Sequence, residues 1–442
     1  MQNTKIAVIG SGVSGLCAAW LLSQRHNVVL FEADDRLGGH VNTVTVETCD
    51  GPTRVDTGFI VYNAANYPNL TALFSYLDVA TSETEMSFSV SMRGGDYEYS
   101  GSGFGGFFGQ RRNLLNHSHW QVLRDIARFF KTAKQKSQVL GDDVTLGAFL
   151  EHERYSRHFI DHHILPMASA IWSADKSDML DYPARSFISF YANHGMLQFK
   201  DRPMWRTVEG GGQTYVDAML RDSAVDVRRA KKIHKVVPKA SGADVIDDDG
   251  QTWSFDQVVI ATHADQALEM LVAPTPEQEN LLKAFRYQRN CAVLHRDATA
   301  MPKRRTVWSS WNYIQTQEQS DQLLCVTYWM NRLNNLPTRE NLFVTLNPTF
   351  EIDRDKVDGV FNYMHPLFSA PARRAQARLW QLQGQRNIWF CGSYFGHGFH
   401  EDGIQSGLAV AEQLGGVRRP WDVKNESGRI FLASPNATLE DA

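Results

Sequence analysis

Lys5-Ile6-Ala7-Val8-Ile9-Gly10-Ser11-Gly12-Val13-Ser14-Gly15 opens the chain, followed by small and apolar residues to Leu22 and then by the run Val28 to Glu32. Apolar residues up to Gly10 predict a buried parallel strand, those from Val13 to Leu22 the helix it feeds, and Val28 to Glu32 a second strand. Such a βαβ unit requires a parallel sheet and a right-handed crossover. In that setting each glycine has a physical role. Gly10 allows the tight turn, Gly12 lets the backbone approach a pyrophosphate, and Gly15 lets helix and strand touch, while the amides of Val13 and Ser14 at the helix start receive the anion. Glu32, with Ala33 beside it, closes the second strand 17 residues after Gly15, where a carboxylate holds a ribose hydroxyl pair and disfavours a 2′-phosphate.

Two more islands of strand-like sequence lie far along the chain. Ile233 to Pro238, Ala243 to Asp247 and Trp253 to Phe255 read as short strands separated by Gly242 and a turn ending at Gly250, leading into a buried strand from Gln257 to Ala261. Asn387 to Cys391 reads as a strand, Gly392 to Gly403 as a Gly-rich loop, and the small residues to about Leu414 as a helix. The expected fold is therefore α/β, with a discontinuous Rossmann-like nucleotide domain formed by 1–76, 205–270 and 381–417. The insertions 77–204 and 271–380, rich in aromatics, are expected to form an α+β substrate domain, and 418–442 a frayed or surface tail.

With 442 residues the chain has ample core to bury, and its five cysteines stand far apart without metal or disulfide spacing. A reducing cytoplasm fits, and no metal site is expected. A formal net charge of -4 argues against nucleic acid as a partner. No signal peptide is read, and no apolar run reaches membrane-spanning length. Local charge is more telling: between Phe104 and Lys136 stand Arg111, Arg112, Arg124, Arg128, Lys131, Lys134 and Lys136 against Asp125 alone, with Trp120, Leu123, Ala127 and Phe130 at helical spacing. Two readings stand, a basic helix lying peripherally on an anionic inner membrane and a helix packing its apolar stripe on its own domain.

Arg36-Leu37-Gly38-Gly39-His40 resembles the segment after the second strand in the superfamily of flavin amine oxidases, phytoene desaturases and protoporphyrinogen oxidases, in which a basic residue often follows the paired glycines. Asn387 to Gly392 and Gly403-Ile404-Gln405-Ser406-Gly407 resemble that superfamily's C-terminal flavin motif, with Ser393 where an acid is usual, and Val55 to Gly58 resembles its DxG turn. The resemblance implies FAD in a GR2-type flavoprotein fold. It places Gly10, Gly12, Val13, Ser14, Gly15, Glu32, Ala33, Arg36, Gly39, His40, Gly58, Gly392, Ser393, Gly403, Ile404 and Gln405 at the cofactor, with Val236 as a backbone contact to adenine. In this superfamily the start of that last helix faces the flavin edge on which negative charge grows.

The runs Trp308 to Tyr313, Val326 to Asn331 and Tyr394 to Gly403 look like a bacterial group of FAD-binding proteins associated with cyclopropane fatty acid synthases. That kinship covers nearly the whole chain to about Leu414, and it implies an oxidoreductase drawing hydride from a fatty-acyl chain. Amine oxidation, or a non-catalytic flavoprotein partnering a lipid methyltransferase, are the alternatives. His397 and His400, crowded with Glu401 and Asp402 before the last helix, are the candidate catalytic bases. Equally, these groups order the loop and cap the helix. Trp311, Tyr313, Tyr328, Trp329 and Tyr394 are candidates to wall the substrate pocket.

Overall fold

The computed structural model describes residues 3–141, 144–198, 203–316 and 324–432. Strand β1 (Lys5–Ile9), helix α1 (Val13–Ser23) and strand β2 (Asn27–Phe31) form the anticipated βαβ unit. Three further strands from remote stretches, β3 (Asp226–Arg228), β4 (Gln257–Ile260) and β5 (Ile388–Phe390), complete one sheet in the order β3-β2-β1-β4-β5, parallel throughout. Full burial of Ile6, Ala7, Val8, Val258, Val259 and Ile260 explains their unbroken apolar runs, since a parallel sheet is covered on both faces. Helix α2 (His400–Gly415) packs along α1. A Cβ on Gly403 would stand 2.7 Å from Val13 Cγ1 and one on Gly407 would run into the Ser14 carbonyl, so glycines set the spacing of the two helices. Strands Ile233–Pro238, Ala243–Asp247 and Thr252–Phe255 pair antiparallel in their own sheet, at the positions read from the sequence.

The residues between these elements build a seven-stranded sheet. Its order is Val357–Leu367, Arg286–His295, Phe343–Leu346, Val326–Trp329, Trp311–Ile314, Phe88–Met92, Tyr97–Ser100, and only the Trp311–Ile314/Phe88–Met92 pair is parallel. Helices His117–Ser137 and Ala184–Asn193 pack together nearby, and Leu165–Trp172 contacts strand Trp311–Ile314. A small sheet of Tyr62–Asn63, Trp205–Val208 and Thr81–Thr84 joins segments of both halves. No helix of the described residues is long and apolar enough to cross a membrane.

Three expectations need correction. Helix α2 begins at His400, not Gly403, because the Asp402 carboxylate reaches back to accept the Phe399 N–H at 2.7 Å and closes the first turn early. In the helix His117–Ser137 the stripe facing the protein is Val122, Ile126, Phe129 and Ala133, all buried; of the anticipated stripe Trp120 and Ala127 face outward and Leu123 and Phe130 are half-buried. Residues 418–432 are not frayed. Arg419 is buried and pairs with Glu412 at 2.8 Å, Trp421 stacks on Trp20 with ring centroids 5.8 Å apart, and Arg429 pairs with Asp402 at 2.7 Å. The rest of the anticipated tail, 433–442, lies outside the described residues.

Candidate functional site

One continuous cavity of about 1130 Å³ runs from the glycine turn after β1 to the helices beside the seven-stranded sheet. Its first end is mostly backbone. Gly10 takes φ +100°, a left-handed conformation in which its N–H donates to the Phe31 carbonyl at 2.8 Å. A Cβ on Gly15 would strike the Gly10 carbonyl oxygen, so this glycine lies behind the cavity wall and holds helix to strand. Gly12 is the opposite case: nothing stands within 4 Å of where its Cβ would be, because that side opens into the cavity.

Glu32 is fixed by Ser11, whose N–H and hydroxyl donate to Oε2 at 2.8 and 2.5 Å, and by the Asp34 N–H at 3.0 Å to Oε1. Ala33, Asp34 and Arg36 line the wall beside it, and the Arg36 guanidinium donates to the Gly39 and Val41 carbonyls at 2.8 and 3.2 Å, fixing the Gly38-Gly39 turn over Gly12. Lys231, Lys232, Ile233 and His234 form the opposite wall. Val236 does not reach it. The Val236 side chain is wholly buried and its carbonyl accepts the Val272 N–H at 3.0 Å, while Ile233, before a register irregularity between Ile233 and Lys235, lines the cavity.

Gly58 and His40 follow along the cavity. The His40 ring lies 5.2 Å from His365 and 6.3 Å from His263 between centroids, and its Nε2 is buried without a partner. Burial first, then the neighbouring His365 and His263, hold the His40 pKa well below the ordinary range; burial also pushes His365 down to about 4. His40 is therefore held neutral rather than as a fixed cation. His263, stacked on Tyr287 at 4.4 Å, and His365 belong to no motif, and sequence reasoning misses them.

At the middle of the cavity Gly392, Ser393, Tyr394, His397 and His400 line one side. His400 stacks flat on Phe59 with centroids 3.9 Å apart, and its Nε2 shares a 2.5 Å hydrogen bond with the Tyr215 hydroxyl. Burial pushes His400 down to about 3, so both partners are neutral. His397 also falls to about 3, by burial first and then by Arg429 and Arg373, and its Nδ1 has no partner. Glu401 and Asp402 are structural. Glu401 accepts the N–H groups of Asn69 and Leu70, both at 3.1 Å, and so caps the helix Pro68–Tyr76, while Asp402 caps α2 and pairs with Arg429. Gly403, Ile404 and Gln405 sit behind the lining, and the Gln405 side chain is occupied by Glu401 and the Arg429 N–H. Asp56 likewise turns from the cavity, accepting the Gly212 N–H at 2.9 Å before the helix Gln213–Arg221.

Beyond the histidines the cavity becomes an apolar limb, walled by Phe88, Phe107, Ile126, Phe130, Met167, Ala170, Ile171, Val344 and Leu346. Trp311 stands edge-on to Tyr328 with centroids 4.9 Å apart, and both face this limb. Tyr313 is buried one pleat step farther away, and Trp329 follows Tyr328 onto the opposite face, where its Nε1 donates to Asn341 at 3.1 Å. Among the described residues the one carboxylate at this limb is Glu85, held by Arg332 at 2.6 Å.

The lining fits an extended dinucleotide carrying a flat ring: an open glycine face for a pyrophosphate, a positioned Glu32 carboxylate, and an unpartnered His40 Nε2 between them and the middle of the cavity. Residues 13–415 match the family described as flavin-containing amine oxidoreductases. Among solved structures the chain is similar to wild-type putrescine oxidase bound to putrescine, with a TM-score of 0.67, 15% identity, and coverage of 93% of this chain and 99% of that one. It is similar also to a putative protoporphyrinogen oxidase from Exiguobacterium sp. 255-15, with a TM-score of 0.68, 14% identity and coverage of 94% and 99%. A fatty acid isomerase from P. acnes that produces CLA gives a TM-score of 0.66, 13% identity and coverage of 93% and 98%. Matches to curated relatives are short. Protoporphyrinogen oxidase 2 of Arabidopsis thaliana is 49% identical over 45 residues, 10% of this chain and 9% of that protein.

Proposed function

From the premise that the chain belongs to the flavin-containing amine oxidoreductase family, with FAD as its cofactor, we propose that this oxidoreductase acts on a fatty-acyl chain. The observation that carries the reading is the apolar limb, continuous with the nucleotide end and walled by aliphatic and aromatic side chains. When bound, FAD supplies a two-electron acceptor for a hydride leaving a C–H bond.

The chain's own residues do the rest. The limb excludes water and aligns the acyl chain by shape, the means by which an apolar pocket confers position. The proton left behind goes to water, and His397, with Nδ1 unpartnered beside the cavity, is the group placed to hydrogen-bond that water. His400 is a positioning residue, locked between Phe59 and Tyr215. A diamine is a poor match, since its ammonium groups need unpaired carboxylates, and Glu85 is already spent on Arg332. The test is anaerobic mixing of the holoenzyme with methyl-branched or unsaturated acyl chains and, separately, with diamines. Bleaching of the flavin by the acyl chains is expected; bleaching by amines alone overturns the reading.

A further inference from the structure

We infer that the face formed by the helix Gly103–Phe107, the turn Arg111–Leu115 and the outer side of the helix His117–Ser137 docks on an anionic phospholipid bilayer, an inference that rests on the acyl reading above for its purpose but on separate residues for its evidence. Large apolar side chains gather there in the open: Phe104 is 73% exposed, Leu115 94% and Trp120 48%. They form a joined tip, since Phe104 packs on Phe108 at 4.7 Å and Phe108 on Trp120 at 5.2 Å between ring centroids. Apolar surface of this kind on a folded protein marks a contact with another phase or partner.

Charge selects the partner. Behind the tip, Arg124, Lys131 and Lys134 project at helical spacing along the exposed side of the helix, with Arg111 exposed beside Leu114. The lone acid of this stretch, Asp125, is buried and accepts the Ser156 N–H at 2.9 Å. Lys131, Lys134 and Arg111 have no ion-pair partner among the described residues. Apolar wedges set in a basic surface are the chemistry of binding at the interface of an anionic leaflet, each basic residue strengthening attachment about fivefold.

Position gives the docking its use. Phe107, on the same short helix as Phe104, and Ile126 and Phe130, on the same helix as Trp120, line the apolar limb of the cavity. The surface that would enter the bilayer is thus the outer side of the wall whose inner side would hold the acyl chain. A second cleft lies at the same rim: Ser102 borders both it and the cavity, and Arg305 and Arg332 supply its cations.

Sedimentation of the FAD-loaded protein with vesicles tests the inference. Equal parts phosphatidylglycerol and phosphatidylcholine should pellet it, pure phosphatidylcholine should not, and added salt should release it. Phe104→Glu/Leu115→Glu and Lys131→Glu/Lys134→Glu should each lower pelleting more than about tenfold. Melting temperature, flavin absorbance and reduction by a detergent-dispersed acyl substrate should stay unchanged, since none of the four side chains lines the cavity. Negligible pelleting with both vesicle types overturns the inference. So does vesicle binding that neither double variant lowers, which would place the contact on another face of the molecule. Retained vesicle binding without reduction by any acyl chain would sink the substrate reading and leave the docking surface standing.

Discussion

At its nucleotide end the cavity is bounded by backbone, and at its far end by side chains. Gly10, Gly12, Gly38, Gly39 and Gly58 line the first, while Phe88, Phe130, Met167, Ile171 and Leu346 line the second. A wall made of backbone has few sequence solutions, because any Cβ changes its shape. A wall of packed side chains has many, since hydrophobic residues of similar volume replace one another at little cost. The cofactor end is therefore written in a short local pattern, and the substrate end in no pattern at all.

Two glycine substitutions should break this contrast open. Gly15→Val places a branched side chain against the Gly10 carbonyl and within 3.0 Å of Ala261 Cβ. It should cost about 3 kcal/mol and empty the cofactor end, read as a loss of cooperative unfolding and of flavin absorbance. Gly12→Ala adds a single Cβ that meets no atom within 4 Å and needs no unusual backbone, its φ being -60°. Stability should move by less than about 0.5 kcal/mol while FAD is lost. Equal destabilisation by both would mean that Gly12 is a packing residue and that the open face beside it is not the cofactor's.

Acid should act on the buried polar groups instead. His119, His194 and His295 are buried, and burial pushes each from 6.5 down to about 4. Their contribution to stability is whole above pH 6.5, the unfolded value, and is lost as pH falls towards 4, because the unfolded chain takes up protons that the fold refuses. Asp56 works the other way: burial raises it to about 6, so its contribution is whole below its unfolded value of 3.8 and lost as pH rises through 6. With His365, His397 and His400 also held down by burial, the buried histidines outnumber the acids that burial raises, Asp56, Glu401 and Asp402 among them, so stability should fall from pH 6 to pH 4. Thermal unfolding across that range measures it, and His194→Gln should flatten the slope. The loss at His194, in the wall of the far limb, should persist when FAD is bound, whereas an anion beside His40 opposes protonation stress at the nucleotide end. A flat profile would mean that these rings are not held neutral.

Narrowing the far limb should leave the cofactor alone. Met167→Trp adds bulk to a half-buried wall residue, so long acyl chains should reduce the flavin about tenfold more slowly, while short chains and FAD content stay near those of the parent. A uniform loss for all chain lengths would place the reacting carbon elsewhere.

The same contrast explains what could be read in advance. Strands β1, β2, β4 and β5, α1 and the antiparallel trio are legible because their apolar runs and glycines are local signals. Strand β3, only Asp226–Arg228, has too few residues to show a period and exists because β2 offers it an edge. The start of α2 is misplaced because Phe399, its N-cap, carries no side-chain acceptor to announce the end. That Ile233 lines the cavity and Val236 does not is hidden because an irregularity in strand register leaves no trace in composition. Tyr215, His263 and His365 reach the site from separate elements, so proximity in space alone reveals them.

The smallest effect discriminates most finely. Tyr328 and Trp329 are neighbours on one strand and both read from the sequence as substrate residues, yet alternation sends them to opposite faces. Trp329→Phe forfeits the bond to Asn341 and part of an edge contact with Trp308, whose ring lies 5.4 Å away, for about 1 kcal/mol of stability. It should leave the rate of flavin reduction by acyl chains unchanged. Tyr328→Ala enlarges the limb beside Trp311 and should alter which chain lengths are accepted. If instead Trp329→Phe changed chain-length preference and Tyr328→Ala did not, the face of this strand that meets substrate would be the other one, and the limb would have to be sought in the cleft lined by Trp308 and Arg305.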